Sequence, residues 1–349
     1  MNTEFTVIDP NEIDADIILR AGDIIKDGGL VAFPTETVYG LGGDALQAES
    51  SKKIYAAKGR PSDNPLIVHI ADMEHLPHIC REVPETMKVL AENFWPGPLT
   101  MIVEKSDAVP YETTGGLDTV AIRMPDHAVA LEFIKASGGY IAAPSANASG
   151  RPSPTLASHV REDLDGRIEM ILDGGEVGIG VESTIVDLTV DPPMILRPGY
   201  ITREMLERVL GQVDADTTMM SGTDKKAPKA PGMKYRHYAP HGEMTIVEGT
   251  EEDVIKTINE EVSKAVSEGH RTGVLCTDET VAMIRADVVK NAGSRADEHE
   301  IARNIYRILR EFDDEGVDVI FSESFSADGF GQAVMNRLLK AAGYKVKKI

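Results

Sequence analysis

Residues 58–70 read KGRPSDNPLIVHI and join a cationic loop to a strand. Lys58 and Arg60 lie two residues apart, so two cations share one short loop of an acidic protein. The run 66–70 that follows is apolar apart from His69, which predicts a strand buried on both faces. Sheets that contain such strands are covered by helices on both sides, and we therefore predict an α/β fold.

The composition narrows the class of protein. The chain has 349 residues, more than one ordinary core, which favours two domains. The formal net charge of −21 argues against non-specific nucleic-acid binding, because that binding depends on cations that neutralise phosphates. No apolar run approaches the roughly 18 residues of a membrane span, and the N-terminus lacks a signal segment, so we expect a cytoplasmic protein without membrane contact. Cys80 and Cys276 are too few for a zinc site and are expected to be buried thiols.

The pattern of strands and helices divides the chain into three parts. Residues 1–211 are predicted to form the first domain, which carries the polar loops. Residues 212–242 lack periodicity and are predicted to be a linker that also serves as an active-site lid. Residues 243–349 alternate strands with helices, which predicts a smaller Rossmann-like domain with a parallel sheet. Its basic tail, residues 345–348, is expected to be solvated.

Two loops rich in hydroxyls and small residues leave predicted strands. Residues 34–43, PTETVYGLGG, follow the strand 30–33, and residues 144–154, PSANASGRPSP, follow the strand 140–143. Loops of this composition allow a ligand to approach the backbone closely, and α/β proteins place ligands where strands end.

A formal match to a dinucleotide-binding motif occurs at Gly40, Gly42 and Ala45. We reject it, because the glycines lie several residues beyond the strand and Arg60 stands where an acidic ribose partner is required. The sequence contains no G-x-x-x-x-G-K-[ST] motif either. If ATP binds, it binds without a P-loop.

In combination, these segments resemble the L-threonylcarbamoyladenylate synthase family, which is built on the YrdC-like domain, in its two-domain form. The resemblance implies a twisted, mixed-sheet N-terminal domain with an open cleft. The similar segments occur in the family's order: PTETVYGLG (34–42), KGRP (58–61), NPLIVH (64–69), RMP (123–125), PSAN with SGRPSP (144–154), ESTIVD (182–187), RPG (197–199) and PGMKYRHYAP (231–240).

The resemblance implies a nucleotidyltransferase that converts ATP, L-threonine and bicarbonate into L-threonylcarbamoyladenylate and diphosphate. A separate complex would transfer the threonylcarbamoyl group to an adenosine of tRNA. Mg²⁺ is expected to arrive with ATP, held by phosphates and water rather than by protein ligands. Positioning and charge neutralisation supply most of the catalysis in such a transfer.

The resemblance also implies the roles of individual residues. Lys58, Arg60, Ser145 and Asn147 would be the catalytic group. The implied ATP-binding residues are Lys58, Arg60, Asn64, Thr119, Ser145, Ser153, Arg197 and Tyr235. The implied threonine-binding residues are Thr35, Thr37, His69, Arg123, Ala143 and Ser183, with Arg123 as the partner of the substrate carboxylate. Without the resemblance, His69 reads more simply as a core histidine.

Two other functions use related domains. An RNA-binding module would fit a concave basic cleft, but the acidity of the chain opposes it. Carbamoyl transfer in hydrogenase maturation is the second alternative. Proteins of that type are long fusions that contain zinc-finger segments. The two cysteines of this chain are too few to form such segments.

Overall fold

The computed structural model describes residues 2–216 and 237–349. Within these ranges, no helix is both long enough and apolar enough to cross a membrane. The described strands form two sheets, and the α/β class is confirmed.

The first domain contains a mixed sheet of eleven strands in the order β1-β8-β2-β3-β7-β4-β6-β5-β9-β10-β11. The apolar strand predicted around His69 lies in its middle and is buried. The strands are β1 (Glu4–Val7), β2 (Val31–Phe33), β3 (Gly40–Asp44), β4 (Ile67–His69), β5 (Leu99–Glu104), β6 (Thr119–Arg123), β7 (Ile141–Ala142), β8 (Met170–Asp173), β9 (Thr184–Asp187), β10 (Met194–Arg197) and β11 (Asp214–Ala215).

Helices cover this sheet, and local sequence signals explain their bounds. The first helix begins after Asp14, whose carboxylate accepts hydrogen bonds from the backbone N–H groups of Asp16 and Ile17, a typical N-cap. A turn of 3-10 helix covers Met73–His75. The helices are α1 (Ala15–Lys26), α2 (Ala48–Lys58), α3 (Leu76–Ile79), α4 (Glu85–Phe94), α5 (Tyr111–Thr114), α6 (Ala128–Ala136), α7 (Ala157–Leu164) and α8 (Arg203–Leu210).

The second domain has a five-stranded sheet in the order β14-β13-β15-β12-β16, and all its printed pairings are parallel, as predicted. A 3-10 turn covers Val281–Met283. The elements are β12 (Glu243–Glu248), α9 (Glu251–Ser267), β13 (Thr272–Cys276), β14 (Val288–Asn291), α10 (Glu298–Asp314), β15 (Val319–Glu323), α11 (Gly331–Ala341) and β16 (Val346–Lys348). Cys80 and Cys276 are buried free thiols, as expected.

One expectation from the sequence is wrong. The loop expected at 34–43 contains most of β3, which pairs with β2 in antiparallel fashion. Its glycines are needed for packing, since a Cβ on Gly42 would lie 2.9 Å from the Ile141 side chain. The basic tail forms an edge strand whose backbone pairs with β12, and its lysines are exposed to solvent, as expected.

The contact between the domains is packed like a protein core. Val38 and Val181 of the first domain share one apolar cluster with Tyr306 of α10. Gly180 has a φ of +87° and lies against the helix, where a Cβ would overlap the Cα of Arg303. The close approach of these backbones requires glycine at this position.

We predict that Gly180→Ala destabilises the protein more than Gly269→Ala does. Both glycines have a φ of +87°, but nothing lies within 4 Å of a Cβ at Gly269. Both variants should lose about 1–2 kcal/mol because alanine is strained in this conformation. Overpacking should cost Gly180→Ala about 1–3 kcal/mol more. Thermal unfolding measures the difference, and equal losses would contradict the packed interface.

Candidate functional site

A cleft lies where several strands of the first sheet end, and its empty space, part of which is open to solvent, is about 700 Å³. His69 ends β4 and pairs with Arg123, which ends β6, while Arg197 ends β10. Parallel strands that end together bring the side chains of distant segments to one edge. The described residues that line the cleft are Thr35, Val38, Gly40, Lys58, Arg60, Ile67, His69, Arg123, Ala143, Pro144, Ser145, Asn147, Ser149, Gly150, Glu182, Ser183, Arg197, His237 and Tyr238.

The ammonium of Lys58 joins the cationic loop to the loop at 145–147. Its Nζ donates to the backbone carbonyls of Ser145 and Asn147 and lies 3.3 Å from Asn147 Oδ1. Gly59 ends α2 in a left-handed conformation, with φ 63° and ψ 34°, which turns the chain toward the cleft. Burial lowers the pKa of Lys58, and the neighbouring Arg60 lowers it further. The two motifs therefore form one structural unit around a buried cation.

Arg60 and Arg197 place two guanidinium groups near this unit. Arg60 donates from Nη2 to the backbone carbonyl of Pro65 at 3.1 Å, and burial lowers its pKa to about 10. Arg197 donates from Nε to the Ser183 carbonyl at 3.0 Å and from Nη2 to Ser183 Oγ at 3.1 Å. Ser183 Oγ also lies 2.8 Å from Thr100 Oγ1. This end of the cleft therefore has fixed cations that suit an anion.

Arg123 donates hydrogen bonds from two of its guanidinium nitrogens, and the third, Nη2, forms an ion pair that lacks hydrogen-bond geometry. Its Nη2 lies 2.7 Å from Glu36 Oε1, and Nη1 donates to Thr37 Oγ1 at 2.9 Å. Its Nε donates to the Gly97 carbonyl at 3.4 Å. Thr37 is held in turn by Thr35, with 2.9 Å between their hydroxyls. An incoming carboxylate would therefore meet an arginine whose Nη2 already faces a carboxylate of the protein.

His69 is buried beside Arg123, with 4% of its surface exposed. Its Nδ1 lies 3.1 Å from the Ile67 carbonyl. A carbonyl can only accept, so Nδ1 carries the proton and Nε2 is an acceptor in the neutral ring. Burial, with a contribution from Arg123, lowers the pKa of His69 to about 3. The imidazole is therefore neutral at neutral pH.

Nine further residues line the cleft beyond those that the resemblance implies, and three of them have ionisable side chains: Glu182, His237 and Tyr238. Glu182 places the one carboxylate among the described lining residues. His237 and Tyr238 lie within the predicted linker, residues 212–242, and Tyr238 has a φ of 63°, which is unusual for tyrosine. The ring of Tyr238 lies 5.2 Å from that of Tyr306. Glu182, His237 and Tyr238 belong to the segments 182–187 and 231–240. The resemblance of these segments to the family was the sequence signal that could have identified the three residues.

Most of the residues singled out from the sequence meet in the cleft. Thr37 and Ser153 lie behind the lining: Thr37 holds Arg123, and Ser153 donates to Glu182 Oε1 at 2.5 Å. Asn64 is buried with its carbonyl 3.3 Å from Arg60 Nε, and Thr119 begins β6. Tyr235 lies outside the described residues. The ten that line the cleft are Thr35, Lys58, Arg60, His69, Arg123, Ala143, Ser145, Asn147, Ser183 and Arg197.

The described residues do not fit a resident metal ion. Within residues 2–216 and 237–349, no group of three or more acidic, histidine or cysteine side chains is placed to hold one. The carboxylate of Glu182 already accepts from Ser153, Tyr306 and Arg337. The magnesium ion expected with ATP therefore remains a prediction, in which phosphates and water supply the ligands.

We predict that His69 does not titrate between pH 5 and 8. Its Cε1–H resonance, assigned by comparison with His69→Gln, should stay constant in a pH-dependent NMR experiment. In the urea-unfolded chain the same group should titrate near its ordinary pKa of about 6.5. Because the folded pKa is lowered to about 3, the unfolded state binds the proton first, and this group reduces stability as the pH falls from 6.5 toward 3. A midpoint near 6 in the folded protein would contradict the buried, neutral imidazole.

Comparison with known proteins identifies the family. A family model described as Telomere recombination matches residues 23–199, and one described as Threonylcarbamoyl-AMP synthase, C-terminal domain, matches residues 201–343. The threonylcarbamoyl-AMP synthase of Pyrococcus abyssi is 51% identical over 329 residues, which are 94% of this chain and 95% of the relative. That of Bacillus subtilis is 51% identical over 330 residues, 94% of each.

Solved structures agree with these matches. A crystal structure of P. abyssi Sua5 complexed with L-threonine has a TM-score of 0.95 and 49% identity, and the match covers 99% of this chain and all of that one. Escherichia coli YciO, at 22% identity and a TM-score of 0.51, matches 56% of this chain and 95% of its own and shares the fold. The chain therefore belongs to the threonylcarbamoyl-AMP synthase family, a family of nucleotidyltransferases.

Proposed function

We propose that the cleft forms L-threonylcarbamoyladenylate and diphosphate from ATP, L-threonine and bicarbonate. One observation carries this proposal: the cleft has one cationic region near the start of β4 and another near its end. Arg60 is held at the chain entering β4, and Arg123 lies beside His69 at its end. The described lining residues include four lysines or arginines and a single carboxylate, although the chain has a net charge of −21. Such a cleft suits two anionic substrates at once.

The proposed chemistry has two steps. The amine of threonine attacks the carbon of bicarbonate, and loss of water leaves an N-linked carbamate. An oxygen of this carbamate then attacks the α-phosphorus of ATP. The new P–O bond replaces the bond to the β-phosphate, and diphosphate leaves. The protein contributes alignment of the two anions and neutralisation of the charge that develops.

The threonine end of the cleft would be built around Arg123. Its guanidinium would bind the substrate carboxylate, because the planar guanidinium matches the geometry of a carboxylate. The Nε2 of neutral His69 is an acceptor and would receive the threonine hydroxyl. Ser183 and Thr35 present buried hydroxyls to the same region, and Ala143 leaves room beside them.

The nucleotide end would use Arg60 and Arg197 for the phosphates. Lys58 would act with them, since its ammonium fixes the loop of Ser145 and Asn147 that faces the same space. Asn64, Thr119 and Ser153 keep their predicted ATP-binding roles as proposals, and Tyr235 keeps its proposed role as part of a lid. Tyr238 adds an aromatic surface to the cleft wall.

The wider biology follows from the product. Threonylcarbamoyladenylate is an activated group, so a separate transfer complex would consume it in tRNA modification. We propose that this chain needs no tight contact with tRNA itself. Its location in the cytoplasm remains the prediction made from the sequence.

Release of diphosphate from ATP by the purified full-length chain tests the function. Release should require both L-threonine and bicarbonate, and carbon-13 bicarbonate should label the adenylated product. Arg60→Ala is the control for contaminating activity and should lose about 10- to 150-fold in kcat/KM for ATP, the usual cost of a charge-assisted contact. Turnover that is indifferent to threonine would refute the proposal.

We predict that Glu36→Gln lowers the KM for L-threonine. Glu36 Oε1 lies 2.7 Å from Arg123 Nη2, and both side chains are largely buried. A substrate carboxylate must compete with this ion pair, and the neutral amide is a weaker competitor. Glu132→Gln is the control, because its ion pair with Lys135 is half-exposed and neither residue lines the cleft. An increased KM for threonine in Glu36→Gln would show that Glu36 instead helps to bind the substrate.

A further inference from the structure

The carboxylate of Glu182 is held by residues from both domains. Its Oε1 accepts from Ser153 Oγ at 2.5 Å, and its Oε2 accepts from Tyr306 OH and from Arg337 Nε, each at 2.9 Å. Tyr306 and Arg337 belong to α10 and α11 of the second domain and are completely buried. A residue of the cleft wall is therefore oriented by the C-terminal domain.

Arg337 also connects two backbone segments of the first domain. Its Nη2 donates to the Glu182 carbonyl at 3.0 Å, and its Nη1 donates to the Pro198 carbonyl at 2.7 Å. The residues next to these carbonyls are Ser183 and Arg197, which face the cleft and bond to each other. One guanidinium thus fixes the spacing of two residues assigned to threonine and nucleotide binding.

Glu182 remains charged in this buried position. Burial raises its pKa, but Arg337 and Arg197 more than offset that effect and hold it at about 2. A buried ion pair is not in itself a strong source of stability, since desolvation cancels much of the attraction. Around it, the interface already contains an apolar cluster that includes Val38, Val181 and Phe330. The hydrogen bonds and ion pair of Glu182 are therefore explained by the geometry that they impose on the interface, not by the stability that they add.

A second arginine at the domain interface, Arg310 of α10, provides a comparison. Arg310 is 1% exposed and pairs with Asp163 at 2.8 Å, also across the domain interface. Its Nη2 donates to the Pro152 carbonyl at 2.7 Å. The two arginines are equally buried and each binds a buried carboxylate of the first domain. Only Arg337 bonds to the segments that carry Ser183 and Arg197.

We propose that Arg337 is a positioning residue for the active site, acting through Glu182 and Pro198 to place Ser183 and Arg197. The C-terminal domain is thereby a structural part of the catalytic cleft. The assignment of substrates to Ser183 and Arg197 rests on the proposed function, whereas the placement of their segments by Arg337 does not.

Amide hydrogen exchange tests the positioning independently of activity. In Arg337→Met, peptides that contain residues 182–184 and 197–199 should exchange at least tenfold faster than in the wild type. In the matched variant Arg310→Met, faster exchange should be confined to residues 148–164, because Asp163 also accepts a hydrogen bond from the backbone N–H of Ala148. Unchanged exchange at 182–184 and 197–199 in Arg337→Met would overturn the proposal, and so would equal effects of both variants on these segments.

Steady-state kinetics then tests the consequence for the substrates. Arg337→Met should raise the KM for L-threonine about tenfold or more, and Arg310→Met should change it less than threefold. The double variant Arg337→Met/Glu182→Gln should be no worse than the poorer single variant, because both changes act on one unit. Additive losses would refute action through Glu182.

A conservative variant guards against misfolding. If Arg337→Met does not fold, Arg337→Lys retains the charge opposite Glu182 but cannot bond to both carbonyls. It should show faster exchange at 197–199 and an intermediate KM for threonine. If Arg337→Lys had the exchange rates and kinetics of the wild type, the proposed role of the guanidinium in holding both carbonyls would be contradicted. If the wild type itself does not use threonine, the proposed function fails while the exchange experiment still decides the positioning.

Discussion

A buried carboxylate, Glu182, links the cleft to the fold of the whole chain. Its oxygens receive hydrogen bonds from Ser153 in the first domain and from Tyr306 and Arg337 in the second. Removing any one donor would leave a buried charge less well compensated, which is costly in a low-dielectric interior. The two domains must therefore dock in one arrangement for this carboxylate to be satisfied. The geometry of Ser183, the next residue in the chain, depends on the same arrangement.

The second constraint is electrostatic. Lys58, Arg60, Arg123 and Arg197 converge on a cleft within a protein of net charge −21. Burial lowers the pKa of Lys58 and of Arg60, which indicates that these charges are costly without an anion. The backbone carbonyls of the 145–147 loop compensate Lys58, and Glu36 compensates Arg123. Anionic substrates would supply the remaining compensation, which links the stability of the cleft to its occupancy.

Much of this arrangement could be predicted from the sequence because it is encoded locally. Apolar strands such as 66–70, and the alternation of strands with helices after residue 243, specify the α/β class and the parallel second sheet. The motif around Lys58 and the motif around Asn147 were each a weak signal of function when taken alone. Only the family resemblance indicated that they belong to one site. The structure shows the bond between them.

The contacts between the domains could not be predicted in this way. Tyr306 and Arg337 are 124 and 155 positions from Glu182, and no local pattern specifies such pairs. The strand β3 could not be predicted because its glycines have low strand propensity, although packing against Ile141 requires glycine at Gly42. The ion pair of Glu36 with Arg123 could not be predicted either, because the sequence around one residue does not specify the other as its partner.

A crystal structure of the full-length chain with L-threonine and a non-hydrolysable ATP analogue would test these assignments most directly. The threonine carboxylate should lie within hydrogen-bond distance of Arg123, and the triphosphate should lie beside Arg60 and Arg197. Arg337 should remain bonded to Glu182 and Pro198. Threonine or the triphosphate bound away from this cleft, or a bound complex in which Arg337 has released Glu182, would contradict these assignments.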